Sequence, residues 1–278
     1  MAKKIIITHM NPDLDALCSV WLLKKFADDF QEAEVVFVPA GKTYQDQKVD
    51  SNPNVIHVDT GQGKFDHHQL EEKTSASQLV FNYLKSKKDG LADDQALLRL
   101  IKVVTGVDNF QDCLWSEPTA DYFSFFIPQI LRGLKSLGKD DQQIIDFGSQ
   151  CLNGVYTSLK IKISAEEDLK QGFEFSTRWG KAIGCLSKNN YVLKLGQKQG
   201  YLLVVQKDPQ TEHIRIKARP DSRVDLTPVK EKLVKLDPQA SWYLHISKKM
   251  LLNGSSHNLD VQPSKLSLRK TIEVLEKI

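Results

Sequence analysis

Residues 4–26 read K-I-I-I-T-H-M-N-P-D-L-D-A-L-C-S-V-W-L-L-K-K-F. The β-branched run Ile5-Ile6-Ile7 has the unbroken apolar character of a strand covered on both faces. Leu14, Leu17, Val20, Trp21, Leu22 and Phe26 then recur at mostly helical spacing. Downstream, Val35-Val36-Phe37-Val38 ends at Pro39 and reads as a second strand. Val55 to Val58, stopped by Thr60-Gly61, reads as a third. Strand, helix and strand in that order predict an α/β domain with a mostly parallel sheet flanked by helices.

From Ser75 the pattern turns helical. Thr74 or Ser75 is placed to cap a helix with Ala76, Leu79, Val80, Tyr83 and Leu84 on one side. Further helices are expected over 93–105, 119–135 and within 141–171, with polar residues 164–172 as a connector. Beyond 176 the expected elements are short strands at Tyr191–Leu195, Tyr201–Gln206, His213–Ala218 and Trp242–Ile246. They predict a second, smaller α+β domain. The expected organisation is a catalytic domain over 1–138, a helical linker over 139–175 and a basic domain over 176–278.

Composition agrees with a two-domain chain. Its 278 residues exceed one typical domain, and 41% hydrophobic residues suffice for real cores. The net charge of +3 conceals an asymmetry: residues 1–175 carry a net −7 and residues 176–278 a net +10. An acidic half can hold cations, and a basic half attracts anions such as phosphates. Cys18, Cys113, Cys151 and Cys185 form no C-x-x-C pair, which removes zinc-ribbon and thioredoxin-like readings. The brief apolar run after Met1 is too short for a signal peptide, and no stretch reaches the ~18 apolar residues of a membrane span. The expectation is a cytoplasmic protein without membrane contact. There is no G-x-S-x-G elbow and no G-x-x-x-x-G-K-[ST] loop, and Gly61-x-Gly63 lacks the third glycine of a dinucleotide fingerprint.

The chemistry-bearing residues fall at strand ends. His9, Asp13 and Asp15 follow the first strand, Asp59 closes the third, and Asp66, His67 and His68 come seven to nine residues later. Open α/β sheets bind ligands outside the carboxyl ends of their strands, so these groups can meet in one crevice. Singly they have plainer readings: His9 as a loop histidine, Asp13 and Asp15 as helix N-terminal residues, 66–68 as a surface turn. Together they would repel or be poorly solvated without a cation. Oxygen-rich ligation with an imidazole or two suits Mn²⁺ or Mg²⁺. This many ligands also allows a pair of ions about 3.5–4 Å apart, clamping a bridging hydroxide for attack on phosphorus.

H-M-N-P-D-L-D-A, V-D-T-G and F-D-H-H-Q resemble, in order and strand placement, the first three motifs of the DHH phosphoesterase superfamily. That superfamily includes RecJ-type exonucleases, nanoRNases, cyclic dinucleotide phosphodiesterases and family II inorganic pyrophosphatases. The resemblance implies one metal ion on His9, Asp13 and Asp59. It implies a second on Asp15, Asp59, His67 and Asp108, where Asp108 in V-T-G-V-D-N-F stands for the fourth motif. His68 would contact the substrate phosphate or assist the leaving group, and Asp66 would orient a histidine. Asn11 and Asn109 are candidates for further polar contacts. In the C-terminal half, I-R-I-K-A-R-P-D-S-R and H-I-S-K-K-M-L-L-N-G-S-S-H resemble a diverged DHH-associated domain. Arg219 would take its strand-arginine position and Gly254-Ser255-Ser256-His257 its glycine segment, with two of three glycines replaced. Arg215 and Lys248 are further candidate substrate contacts, each with a solvated strand edge as the plain reading.

The expected function is metal-dependent hydrolysis of phosphodiester bonds in short oligonucleotides or nucleotides, with two Mn²⁺ or Mg²⁺ ions per site. The partner is an anionic phosphate-containing substrate, a nucleotide or short single-stranded nucleic acid. A homodimer stays open. One alternative is an inorganic pyrophosphatase, favoured by Ser247-Lys248-Lys249 and opposed by the second histidine of D-H-H. Another is a non-catalytic nucleotide-binding protein, whose mark would be damage to the ligand motifs.

Overall fold

β1 (Ile5–His9) is the middle strand of a three-stranded sheet, with β2 (Glu34–Val38) and β3 (Val55–His57) both parallel to it in the order β2-β1-β3. Ile6 pairs with Val35 and Ile56, and Ile7 with Val36 and His57. Parallel neighbours need a crossover, and α1 (Leu14–Phe26) supplies the first. Ten consecutive residues of α1, Leu14 to Leu23, are buried, so the helix is enclosed rather than one-sided. Each of its fully buried leucines contributes about 1.5–3 kcal/mol. The chain leaves β1 toward one side of the sheet and returns to β3 on the other. The strand order therefore reverses beside β1, which is where such sheets hold ligands.

The computed structural model describes residues 3–254 and 261–278, and none of their helices is long and apolar enough to cross a membrane. α2 (Ala76–Lys85) and α3 (Gln95–Asp108) pack on α1. Ser75 caps α2 by accepting from the Gln78 amide, and Asp94 caps α3 by accepting from Ala96 and Leu97. The helix expected over 119–135 is divided. A 3₁₀ turn covers Asp121–Phe125, Phe126 is extended, and α4 is Ile127–Ser136. Pro128 explains the start, because a proline fits the first turn of a helix and not its interior. α5 (Asp141–Lys170) is continuous, so 164–172 is not a connector: Ala165 and Leu169 are buried under its polar face.

The chain forms two compact units, Met1–Leu159 and Lys160–Ile278, with the boundary inside α5. The second unit comprises β4 (Phe173–Thr177), β5 (Gly180–Leu186), α6 (Tyr191–Lys198), β6 (Leu203–Lys207), β7 (Ile214–Ala218), α7 (Thr227–Leu236), β8 (Tyr243–Leu244), β9 (Met250–Asn253) and α8 (Leu268–Glu276). Its sheet runs β4-β5-β6-β7-β9-β8, and only β5 and β6 are parallel. That pair needs a crossover, which corrects the strand expected at Tyr191–Leu195: it is the helix α6. Val192, Leu193, Leu195 and Gly196 face inward, and a Cβ on Gly196 would lie 2.9 Å from Val204 Cγ2. Alternation along β6 serves two cores. Leu203 and Val205 face α7 and α8 through Leu233 and Ile272, while Val204 faces α6 through Leu193. The strand expected over Trp242–Ile246 shrinks to Tyr243–Leu244, an edge pair on β9.

Candidate metal centre

The chain turns sharply where β1 ends. Asn11 takes the left-handed conformation at φ 57°, and Asp13 caps α1 by accepting from the Asp15 and Ala16 amides at 2.9 and 3.0 Å. One position into the helix, Asp15 is buried. Its two oxygens accept from Ala76 and Ser77, the first two amides of α2, at 2.7 and 3.0 Å. These amides have no partner within their own helix and carry the positive end of its dipole, so they favour a carboxylate.

Asp59 follows β3 at φ 56°, with its amide on Phe65 O. The loop it opens folds back on Asp66. One Asp66 oxygen accepts from the Gln62 amide at 2.7 Å, and the other from the His68 amide and from His68 Nδ1 at 3.1 and 2.7 Å. Asp66 is therefore saturated by its own loop and orients His68, whose ring is more than half exposed. Asp108 is the last residue of α3.

These turns bring seven side chains together. His9, Asp13 and Asp59 form one group with ligand atoms within 4.8 Å of one another, Asp15, His67 and Asp108 a second, and Asp59, His67 and His68 a third. His67 Nε2 stands 3.4 Å from Asp59 Oδ1, 3.5 Å from Asp108 Oδ2 and 3.7 Å from Asp15 Oδ2. These are charge contacts without hydrogen-bond geometry. Asp59 Oδ1, His67 Nε2 and Asp108 Oδ2 are buried with no hydrogen-bond partner.

The tautomer of His9 points the same way. Its Nδ1 lies 2.8 Å from Met10 O, which only accepts, so the proton is on Nδ1. A neutral His9 then presents a lone pair at Nε2 to Asp59 Oδ2 across 3.3 Å. Two acceptors at that distance require a proton or a cation between them. A histidine whose second nitrogen donates to a carbonyl is the usual form of a metal ligand. The donor set, oxygen-rich with two imidazoles, fits Mn²⁺ or Mg²⁺.

Without a cation, protons must take up the charge. Burial lowers His9, but the hydrogen bond to Asp59 and the Met10 carbonyl outweigh it and raise it to about 9. The Asp59 carboxylate raises His67 to about 9 against burial, with Asp108 and Asp15 adding to it. Burial first, and the charge on Asp59 with it, push Asp15 to about 7 and Asp108 to about 6. For Asp59 burial acts upward as well, yet His67 and His9 prevail and hold it at about 2.

A cleft of about 380 Å³ opens over this cluster, lined by His9, Asp13, Asp59, Asp66, His68 and Asp108 together with Ala40, Gly41 and Gln62. The last three were not singled out in the sequence. Ala40 and Gly41 follow β2, so the strand-end argument that found His9 and Asp59 applies to them as well.

The structure gives partners to other candidate residues. The Asn11 backbone N–H donates to the Asp141 carboxylate at 3.1 Å. Asn109 Nδ2 donates to Thr74 O and Thr105 O at the end of α3. In the second unit Arg219 is paired with Asp221 and Lys248 with Asp225, and Arg215 is buried with a hydrogen bond to Asn190. Gly254, at φ 87°, lies so close to His213 that a Cβ would meet its ring at 2.5 Å. Ser255, Ser256 and His257 lie outside the described residues.

Comparison with solved structures finds the DHH domain of a member of a ribosomal-protein family, at 12% identity and a TM-score of 0.31, covering 99% of this chain and 86% of that one. An exopolyphosphatase-related protein from Bacteroides fragilis is similar at 14% identity and a TM-score of 0.24, covering 99% of this chain and 91% of that one. Likenesses at these scores bear no weight for fold or activity. No curated protein matches. The family described as "ChrB, C-terminal domain" matches residues 6–159, more than half of the chain and nearly all of the first unit, and the chain belongs to that family.

Proposed function

We propose that the first unit is a divalent-metal-dependent phosphoesterase of the DHH type, which cleaves phosphodiester bonds in short oligonucleotides or nucleotides. One observation carries the reading: Asp59 Oδ1, His67 Nε2 and Asp108 Oδ2 are buried, face one another and lack partners, beside a His9 whose free nitrogen faces a carboxylate. The three motifs at the strand ends support it. His9, Asp13 and Asp59 would hold one ion, and Asp15, Asp59, His67 and Asp108 the other. Bound there, Mn²⁺ or Mg²⁺ supplies a water of lowered pKa and offsets the charge that builds on the phosphoryl oxygens.

The chain's own residues do the remaining work. Asp66 holds His68 by Nδ1, which leaves Nε2 over the cleft. A protonated Nε2 donates to a phosphate oxygen or to the departing oxygen, a contribution of about 10²–10⁴ in rate for a placed acid. Gln62, at the cleft wall, offers its side-chain amide to substrate. The basic excess of the second unit attracts an anion; to grip one, Arg219 and Lys248 would exchange Asp221 and Asp225 for phosphate.

The test is product release by the purified chain with Mn²⁺, Mg²⁺ or chelator, on di- to penta-ribonucleotides, cyclic dinucleotides, bis-p-nitrophenyl phosphate and pyrophosphate. Diester cleavage that needs metal is expected. Turnover of pyrophosphate alone would replace the reading with a phosphoanhydride hydrolase, and no turnover with metal bound would remove the catalytic claim.

A further inference from the structure

The carboxylates of Asp15 and Asp108 sit on different helices, α1 and α3, yet both come within 3.7 Å of His67 Nε2. A chain of largely buried hydroxyls runs between the segments that hold them. Ser75 Oγ, fully buried, lies 2.9 Å from Ser77 Oγ and 2.9 Å from Thr105 Oγ1. The Ser77 amide holds one oxygen of Asp15, as the Ala76 amide holds the other. Thr105 precedes Asp108 by three residues, one turn earlier on the same side of α3. The path therefore runs from Asp15 through the first turn of α2 to the turn of α3 that carries Asp108.

Asn109 closes the arrangement from behind. Its Nδ2 donates both to Thr105 O, within α3, and to Thr74 O, just ahead of α2. Two side-chain links thus join α2 and α3 at this end, one through hydroxyls and one through an amide. The three hydroxyls lie on helices whose other buried residues, Leu97, Ile101 and Phe81 among them, are apolar, and there an unpaired hydroxyl is destabilising. Apolar residues of similar size would pack the same helices. Hydroxyls add direction, which packing lacks.

We propose that the Ser77–Ser75–Thr105 hydroxyl ladder is a positioning device that fixes the spacing of Asp15 and Asp108 and so sets affinity at the second cation position. The inference rests on the metal-centre reading given above. Partners behind a ligand typically alter metal affinity by about 10–100-fold. The ladder meets Asp15 at the Ser77 amide and ends one helical turn from Asp108, and no hydrogen bond among the described residues joins it to His9 or Asp13, so its loss acts on one ion position.

The experiment is Mn²⁺ titration by calorimetry of the full chain and of Thr105→Val, Thr105→Ser and Ser77→Ala, with a thermal melt of each in chelator. Val keeps the shape of Thr and removes the hydroxyl; Ser restores it; Ser77→Ala removes one rung while keeping the Ser75 cap and the Ser77 amide. Thr105→Val is expected to weaken one of two Mn²⁺ sites about 10-fold or more. The other site stays within about twofold, Thr105→Ser recovers the loss, and Ser77→Ala moves the same site in the same direction. Unchanged binding in folded Thr105→Val, or equal weakening of both sites, overturns the proposal. Should Thr105→Val fail to fold, Ser77→Ala decides by the same criterion. Absence of Mn²⁺ binding by the unaltered chain is a different result, which removes the metal centre itself.

Discussion

At the scale of single residues, the cluster is governed by how protons and cations compete for the same lone pairs. His9 and His67, at about 9 in the folded chain, stabilise it fully below their ordinary 6.5 and lose that contribution as pH climbs through 9. Asp15 at about 7 and Asp108 at about 6 act in the same direction from 3.8 upward, because the folded state binds their protons more tightly. Asp59, held at about 2, acts oppositely and only below its ordinary 3.8. A chelated chain therefore melts at a lower temperature at pH 9 than at pH 6.5. Cation binding requires these ligands unprotonated, so its stabilisation grows over the same interval. Melts with Mn²⁺ and with chelator at the two pH values measure this. A gap that widens toward pH 9 is expected, and one that narrows would show that protons and cation do not share the site.

At the scale of elements, α5 lies against the enclosed α1 at a glycine. A Cβ on Gly148 would stand 2.4 and 2.8 Å from the two methyl carbons of Leu17, itself fully buried. Gly148→Ala gains about 1 kcal/mol in helix propensity and incurs about 1–3 kcal/mol of overpacking. The second effect prevails because Leu17 has no solvent to move into, so a net loss of about 1 kcal/mol is expected in urea unfolding. A gain in stability would mean that α5 shifts freely on α1. Much of this frame is legible in the sequence. Ile5–Ile7, Val35–Val38 and Val55–Val58 declare strands, and the apolar residues after Asp13 declare α1. Elsewhere the signal is too short. Tyr191-Val192-Leu193-Lys194-Leu195 fits either period, and only the parallel pairing of β5 with β6 makes it a helix. β5 itself, with Gly180 and Gly184, offers little apolar alternation, and its cover comes from Ile272 far along the chain. The strand-end positions of His9 and Asp59 follow from local pattern. The seating of Asp15 on the α2 amides does not, because it joins residues about sixty apart.

At the scale of the whole molecule, the candidate metal ligands found among the described residues belong to the first unit, and the basic excess belongs mainly to the second. A cation that binds only the folded first unit stabilises that unit by about 2.7 kcal/mol at a hundred times its Kd. Trp21 and Trp115 report on the first unit, Trp179 and Trp242 on the second. In urea, Mn²⁺ is expected to move the transition seen by the first pair and leave the second in place; equal shifts would show that the units unfold as one. The central question is whether the cluster holds two ions that share Asp59. Electron paramagnetic resonance of the Mn²⁺-loaded chain, beside Asp59→Asn, addresses that directly. Two ions about 3.5–4 Å apart give a spin-coupled signal, which should be present in the unaltered chain and absent in Asp59→Asn. Isolated Mn²⁺ signals in both, or no bound Mn²⁺ in either, would contradict a shared dinuclear centre.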